Sequence, residues 1–341
     1  MPGATSTIKT KKKSKSVQLA VDKNALKNIG LVIVAYSQVC REWFPTDEAY
    51  HAEQEVETRA KILPADEYFL TNLLVDNPSL VLNLVDTVRG RDSLQTSIPA
   101  AMELTQIPYT GAGMRGMVIG NDRSLFKQLL DSNDIPTPDF QFISRRGVKV
   151  REDLGTPLIV KLNEGGGSVG IDNNAVKETA EEAEQQVDEL IGKYRLPVIV
   201  ERFISGPEIT AVVFDDGRKK HVFLAEKKFH VKPDGKYYFT SLESYSAKNP
   251  YTYQIIKDSS LAARIEDLTR RAFSVLHNQD YAKFDIRVDE ETGTPFFTDC
   301  NPNTAFGPSL GLPFTEVLNL HSVKFEQVLA SLISKHAKKQ K

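Results

Sequence analysis

Two groups of residues in this chain have the types and spacing to do chemistry. In the first, the apolar run Pro157-Leu158-Ile159-Val160 ends in Lys161, and Leu162-Asn163-Glu164 then opens into Gly165, Gly166, Gly167, Ser168, Val169 and Gly170. Glycine lets the backbone take positive φ and approach a ligand closely, so successive N–H groups can converge on an anion. Lys161 adds a positive charge at the mouth of that concavity. Such a stretch can cradle a polyphosphate, although a glycine-rich hairpin turn remains open from these residues alone. It is not a P-loop, because Ile171 follows the last glycine where that motif needs Lys-Ser/Thr.

The second group is Asp285, Asp299 and Asn301. Residues 281–289 and 295–301 read as two strands of a hairpin joined through Glu290-Glu291-Thr292-Gly293. Strand side chains alternate, so Asp299 and Asn301 share a face while Cys300 points away. A hairpin centred near Thr292 brings Asp285 opposite Asp299. Two carboxylates and an amide oxygen are hard ligands, suited to Mg²⁺ held jointly with phosphate oxygens. An exposed hairpin with scattered acids is the alternative. The metal reading is favoured because Asp299 and Asn301 end a largely apolar strand, where a carboxylate is costly without a cation.

The elements that must position these groups follow from patterning. Residues 31–36 and 80–85 are short, nearly continuous apolar runs, as buried parallel strands are. Residues 53–63 read as a helix between them. A helix over 122–130 has Asp122 as its cap, Leu125, Phe126, Leu129 and Leu130 as its apolar side, and Arg123 and Lys127 one turn apart. Residues 179–191 carry a capping box, Thr179 with Glu182, and Gly192 just past the end. Strands are expected over 196–204 and 209–214, a surface loop over 229–250, a helix along Leu261, Ile265, Leu268, Ala272 and Val275, and one final helix over 314–333. Gly111-Ala112-Gly113-Met114-Arg115-Gly116 fits G-x-G-x-x-G, but Ile107-Pro108-Tyr109 before it is too short and Pro-broken for a first dinucleotide-fold strand. We read it as a loop between domains.

Bulk properties narrow the class. The 341 residues exceed one ordinary core, and 40% hydrophobic with 26% charged residues is the composition of a globular protein. A net charge of −2 gives no global drive toward nucleic acid or anionic membrane. No apolar run approaches the roughly 18–20 residues of a membrane span. Cys40 and Cys300, the two cysteines, lie far apart without metal-ligand spacing, which fits a reduced, cytoplasmic protein. Residues 1–28, with Lys9, Lys11, Lys12, Lys13 and Lys15 among Ser and Thr, read as a disordered basic arm. His221, His230, His277 and His321 occur singly and read as surface or capping residues.

Taken together, these segments resemble the ATP-grasp superfamily, and most closely its D-alanine–D-alanine ligase branch. The resemblance runs from about Gly30 to the C-terminus. Its most specific parts are Ile107 to Gly113, the strand and loop from Ile159 to Ile171, Val200-Glu201 through Gly206-Pro207-Glu208, and Phe284-Asp285 with Asp299-Cys300-Asn301-Pro302. It implies an α/β fold, composite with α+β: an N-terminal parallel α/β substrate domain (29–118), a central ATP-grasp subdomain with the glycine loop (119–200) and a C-terminal ATP-grasp domain with the metal site (201–341), the last two clamping ATP.

Carried over by position, the resemblance makes Lys161 a phosphate-binding lysine and Gly166, Gly167, Ser168 and Val169 the loop that closes over the phosphates, with Ser168 also a catalytic candidate. Arg123 stands where the family has a second phosphate-binding lysine. Glu201, Phe203 and Ile204 match the adenine-contacting segment, and Glu208 the ribose-binding residue. Asp285, Asp299 and Asn301 match the Mg²⁺ ligands, Asp299 replacing a glutamate; Mn²⁺ would serve the same donors. Lys283 falls where an arginine stabilises the reacting carboxylate. Glu53 resembles the glutamate that orients the first substrate's amino group, without the usual glycine pair before it. Lys248 resembles the mobile-loop lysine near the γ-phosphate, followed by Asn249 where the family has tyrosine. Ala305-Phe306-Gly307-Pro308-Ser309 also departs from the family pattern, in a region that serves acceptor recognition.

The implied activity is ATP-dependent joining of a carboxylate to an amine through an acyl phosphate, on amino acids as small-molecule substrates, by a homodimer. Ligation of L-amino acids or of a non-proteinogenic carboxylic acid is an alternative, a non-catalytic nucleotide-binding module another, and a dinucleotide-dependent dehydrogenase built on Gly111 to Gly116 the least supported.

Overall fold

The computed structural model describes residues 17–27, 29–36, 60–242, 250–307 and 311–337. Three sheets follow one another along the chain. The first is parallel, in the order β2 (Ala60–Pro64), β1 (Val32–Tyr36), β3 (Leu80–Leu84). Strands β1 and β3 are nearly unbroken apolar runs because both of their faces are covered, whereas the edge strand β2 leaves Lys61 and Ile62 exposed. On one face Ile33, Ala35 and Val81 pack with Phe69 and Leu73 of one helix and Ile98 and Met102 of the next. On the other, Val32, Val34, Leu80 and Leu82 meet Leu329 and Ile333 from the end of the chain.

Two expectations change here. Residues 60–63, assigned to a helix, are strand β2, because pairing with β1 and burial of Leu63 outweigh local helical preference; the rest of that predicted helix, residues 53–59, lies outside the described residues. Residues 17–27, assigned to a disordered arm, are docked. Val17 and Leu19 pack on a core cluster, the Ala20 N–H donates to Asp216 at 3.0 Å, and α1 (Lys23–Lys27) follows.

After β1–β3 come α2 (Phe69–Asp76), α3 (Ser97–Thr105), α4 (Met114–Asn121) and α5 (Arg123–Asp131). Asp122 caps α5 as expected, accepting from the Leu125 N–H at 2.9 Å. The second sheet is antiparallel, in the order β4 (Phe140–Ile143), β7 (Val198–Arg202), β5 (Leu158–Leu162), β6 (Val176–Lys177). Leu158, Val160, Leu162, Val198 and Val200 face α6 (Ala180–Tyr194), which leaves Lys161 and Glu201 on the opposite face. The capping box of α6 forms, but Gly192 lies inside the helix, which runs two residues further and ends at Arg195 in the left-handed region.

The third sheet has the order β10 (Tyr251–Gln254), β9 (Lys220–Phe229), β8 (Glu208–Asp215), β11 (Tyr281–Val288), β12 (Pro295–Asn301), antiparallel throughout. Ile209, Ala211, Val213, Ala282, Phe284 and Ile286 face α5 and α7 (Ser259–Val275). The other face is divided. Val212, Phe214, Phe223, Ala225 and Tyr281 form an apolar end beneath Phe314 and Val317 of α8 (Pro313–Leu320), while Glu208, Lys227, Asp285 and Arg287 form a charged end. The single helix expected over 314–333 is two, α8 and α9 (Phe325–Ala337), separated at Ser322, whose φ of 60° a helix interior does not allow.

Candidate active site

Alternation along β5 and β7 places Lys161 beside Glu201. The Lys161 ammonium donates to Glu201 Oε2 at 3.1 Å, and Lys127 from α5 reaches the same oxygen at 3.3 Å. Glu201 is buried, yet these ammonium groups hold its carboxyl below the usual carboxylate range against the opposing effect of burial. Beyond β5 the glycine loop turns through φ values of 120° at Gly165 and 60° at Gly167, conformations that a side chain resists. The Gly166 N–H points across to Asp92, 74 residues earlier in the chain, and donates to its carboxylate at 2.8 Å. An N–H in this loop is therefore already presented to an anionic oxygen.

The hairpin register matches the sequence expectation, with Asp285 opposite Asp299 and Lys283 opposite Asn301. The register shifts between Asp285 and Ile286, where the Thr298 hydroxyl donates to the Asp285 carbonyl at 3.0 Å. Asp299 Oδ2 accepts from Arg123 at 2.7 Å, and Arg123 also donates to the Leu162 carbonyl at 2.8 Å, tying α5 to both sheets. Asp285 Oδ2 accepts from Lys283 at 2.5 Å, while its Oδ1 is buried without a hydrogen-bond partner. Burial would raise the Asp285 carboxyl, but Lys283 and Lys227 outweigh it and keep it below the usual range.

An unpartnered buried carboxylate oxygen beside a second carboxylate and an amide fits a hard divalent ion. Among the described residues no three His, Cys, Asp or Glu side chains group to hold a metal by themselves. Ligand oxygens would complete such an ion's shell.

Glu208, on the charged end of the third sheet, sits between two cations. Lys227 donates to its Oε1 at 2.6 Å and Arg287 to its Oε2 at 3.1 Å. Arg287 also donates to the carbonyls of Ile204 at 2.6 Å and Gly206 at 3.0 Å, and its guanidinium lies 4.5 Å from the Phe203 ring centroid. Phe203 in turn makes edge contacts with Tyr237 and Phe239 and packs near Ile159 and Ala175, forming an apolar slot.

Most of these groups open onto one cavity of about 510 Å³, with Lys127 buried behind it against Glu201. Every expected site residue within the described portion lines it: Arg123, Lys161, Gly166, Gly167, Ser168, Val169, Glu201, Phe203, Ile204, Glu208, Lys283, Asp285, Asp299 and Asn301. Glu53 and Lys248 lie outside the described residues.

Four residues at or behind the site have no role in the sequence reading. Lys127 could have been found from its place one turn after Arg123, and Arg287 from its alternation with Lys283 and Asp285. Lys227 required recognising β9, and Asp92 carried no local signal. The glycines of Gly111 to Gly116 serve packing instead. Gly111 donates to buried Asp280 at 2.9 Å, and a Cβ at Gly116 would come within 2.7 Å of the His277 carbonyl oxygen. Cys300 is buried, with its thiol pushed up chiefly by that burial.

Comparisons with known proteins show which chains this one is similar to. The family model described as D-ala D-ala ligase C-terminus matches residues 129–334. The uncharacterized protein y4sG of Sinorhizobium fredii is 29% identical over 265 residues, 75% of this chain and 76% of its own. A D-alanine–D-alanine ligase of Paracidovorax citrulli is 29% identical over 221 residues, and the match spans 63% of that relative's length and 63% of this chain.

Among solved structures, D-alanine–D-alanine ligase from Bacillus anthracis complexed with ATP superposes with a TM-score of 0.67 at 17% identity, covering 92% of this chain and all of that one. The VanG D-Ala:D-Ser ligase from Enterococcus faecalis gives 0.67 at 16%, covering 91% and 100%. At that identity the likeness concerns the fold. Because the family model covers more than half of the chain, and the fold agrees with it, the chain belongs to the D-alanine–D-alanine ligase family of ATP-grasp ligases.

Proposed function

We propose that this chain joins a carboxylate to an amine at the expense of ATP, forming an amide bond between amino acids through an acyl phosphate. The observation that carries this reading is the sharing of one cavity by the glycine loop with Lys161 and Arg123 and by the acid pair Asp285 and Asp299. Around it stand the cations Arg123, Lys127, Lys161, Lys227, Lys283 and Arg287 against the carboxylates Glu201, Glu208, Asp285 and Asp299. Asp86, Asp92 and Arg202 line the cavity as well, so its charges of the two signs nearly balance, and a magnesium nucleotide, offering phosphate oxygens to the cations and a metal ion to the acids, complements both.

In this reading the Phe203 slot takes the adenine, Glu208 the ribose, and the loop N–H groups with Lys161 the phosphates. Asp285, Asp299 and Asn301 would hold Mg²⁺, which when bound neutralises phosphate charge. One carboxylate oxygen of the first substrate attacks the γ-phosphorus and ADP leaves, converting a poor electrophile into an acyl phosphate. Arg123 and Lys161 offset the charge that develops on the transferring group. The amine then attacks the carbonyl carbon, Lys283 stabilises the tetrahedral oxyanion, and inorganic phosphate departs. Ser168 and the loop around it exclude water from the intermediate. From the family resemblance, Glu53 would orient the first substrate's amino group and Lys248 would approach the γ-phosphate.

D-alanine is the family's substrate and the first to test. A different amino acid, or a non-proteinogenic acid, is the second reading, favoured by the departure at Ala305 to Gly307. There Phe306 is buried against Tyr281 and Phe314, and the Gly307 carbonyl accepts from Thr315 at 2.8 Å. A phosphate-release screen of amino acids singly and in pairs, with product masses measured, tests both. The ligase reading expects phosphate release that depends on an amino acid pair and a product one water lighter than their sum. Nucleotide binding without turnover for any pair would favour the non-catalytic module.

A further inference from the structure

On the charged end of the third sheet, Glu208 is paired by two cations. Antiparallel pairing sets Lys227 opposite Glu208 on one side and Arg287 opposite it on the other, so a single carboxylate lies between two cations in one row. Arg287 alone would neutralise Glu208, and it is further tied to two backbone carbonyls. Lys227 has no such backbone anchorage among its recorded contacts. Its ammonium is buried, 2.6 Å from Glu208 Oε1, 3.4 Å from the Thr240 hydroxyl and 4.9 Å from the Tyr251 ring centroid. It also faces the unpartnered Asp285 Oδ1 across 4.0 Å, too far for a hydrogen bond.

A desolvated ammonium is costly unless anions complete its surroundings. An ammonium has three donors; Glu208 accepts one at short distance and the Thr240 hydroxyl a second, long one. The remaining capacity lies on the wall of the shared cavity, between Glu208 and the more distant Asp285.

We infer that Lys227 is a nucleotide-binding residue, donating to an oxygen of the bound nucleotide between Glu208 and Asp285. This assignment rests on the nucleotide site proposed above and adds a contact that no motif in the chain marks. The ammonium is needed for its charge, because Met of similar length would fill the same space.

The test uses the full chain with Mg²⁺ and a non-hydrolysable ATP analogue, with affinity measured by calorimetry. Lys227→Met should weaken binding by about tenfold or more, the worth of one charge-assisted hydrogen bond. Lys227→Arg, which keeps the charge, should stay within about threefold of the unaltered chain, with unchanged melting temperature. Equal affinity of Lys227→Met and the unaltered chain would overturn the inference, as would an Arg variant as weak as the Met variant. If Lys227→Met does not fold, Lys227→Gln carries the same comparison. No binding of the analogue by the unaltered chain would instead sink the ATP-dependent reading, and this assignment with it.

Discussion

Lys127 gives the sharpest test of the electrostatics beneath the site. It lies on α5 one turn after Arg123, fully buried, with its ammonium 3.3 Å from Glu201 and 3.1 Å from the Thr137 hydroxyl. Burial pushes the ammonium down from the ordinary 10.5 to about 8; Glu201 opposes the fall and Lys161 adds to it. That depression makes the charged form about 3 kcal/mol less favourable in the folded chain than in the unfolded one. Below about pH 8 both states hold the proton, so the penalty is fully present. As pH rises from about 8 toward 10.5, the unfolded chain retains more protons and the folded state gains stability.

Lys127→Met removes this dependence. At neutral pH the lost desolvation cost is offset by the partners that Glu201 and Thr137 forgo, about 1–3 kcal/mol, so the net change should be small. Between about pH 7.5 and pH 10, however, the stability of the unaltered chain should rise relative to the variant by about 2 kcal/mol. Urea denaturation of both proteins across that range measures the difference, and tyrosines and other lysines common to both largely cancel. A difference that stays flat, or that moves the other way, would refute the assignment of a depressed, charged Lys127.

Two further substitutions probe the scaffold and the metal site. At Gly206, φ is 133° and an added Cβ would lie 2.1 Å from the Val288 carbonyl oxygen. Gly206→Ala should therefore cost more than about 3 kcal/mol in chemical denaturation, and a variant as stable as its parent contradicts that packing. Asp299→Ala removes one of the paired carboxylates and releases Arg123, so amine-dependent ADP release should fall by about 100-fold or more. Full activity in that variant would rule out the metal assignment.

The chemistry was more legible in the sequence than some of its supports. The pairing of Asp285 with Asp299 followed from alternation around a short turn, since a hairpin allows few registers once its centre is fixed. Strands β1 and β3 were readable because burial on both faces leaves an unbroken apolar run. Strand β9, Lys-His-Val-Phe-Leu-Ala-Glu-Lys-Lys-Phe, was missed because one end of it faces a charged site and breaks the pattern. Helical preference around residues 60–63 yielded to a neighbouring strand, an interaction that a local window does not contain. The same limit hid Asp92, whose contact with Gly166 joins residues 74 positions apart. Lys127 looked like one charge on a helix until its partner Glu201 arrived from β7.

Isotope transfer tests the central claim most directly. With an amino acid pair that supports phosphate release, the donor carboxylate is labelled with ¹⁸O and the released phosphate is analysed by mass spectrometry. An acyl phosphate formed at Lys161, Arg123 and the acid pair predicts one labelled oxygen in the inorganic phosphate. Unlabelled phosphate, or label recovered in AMP, would contradict it.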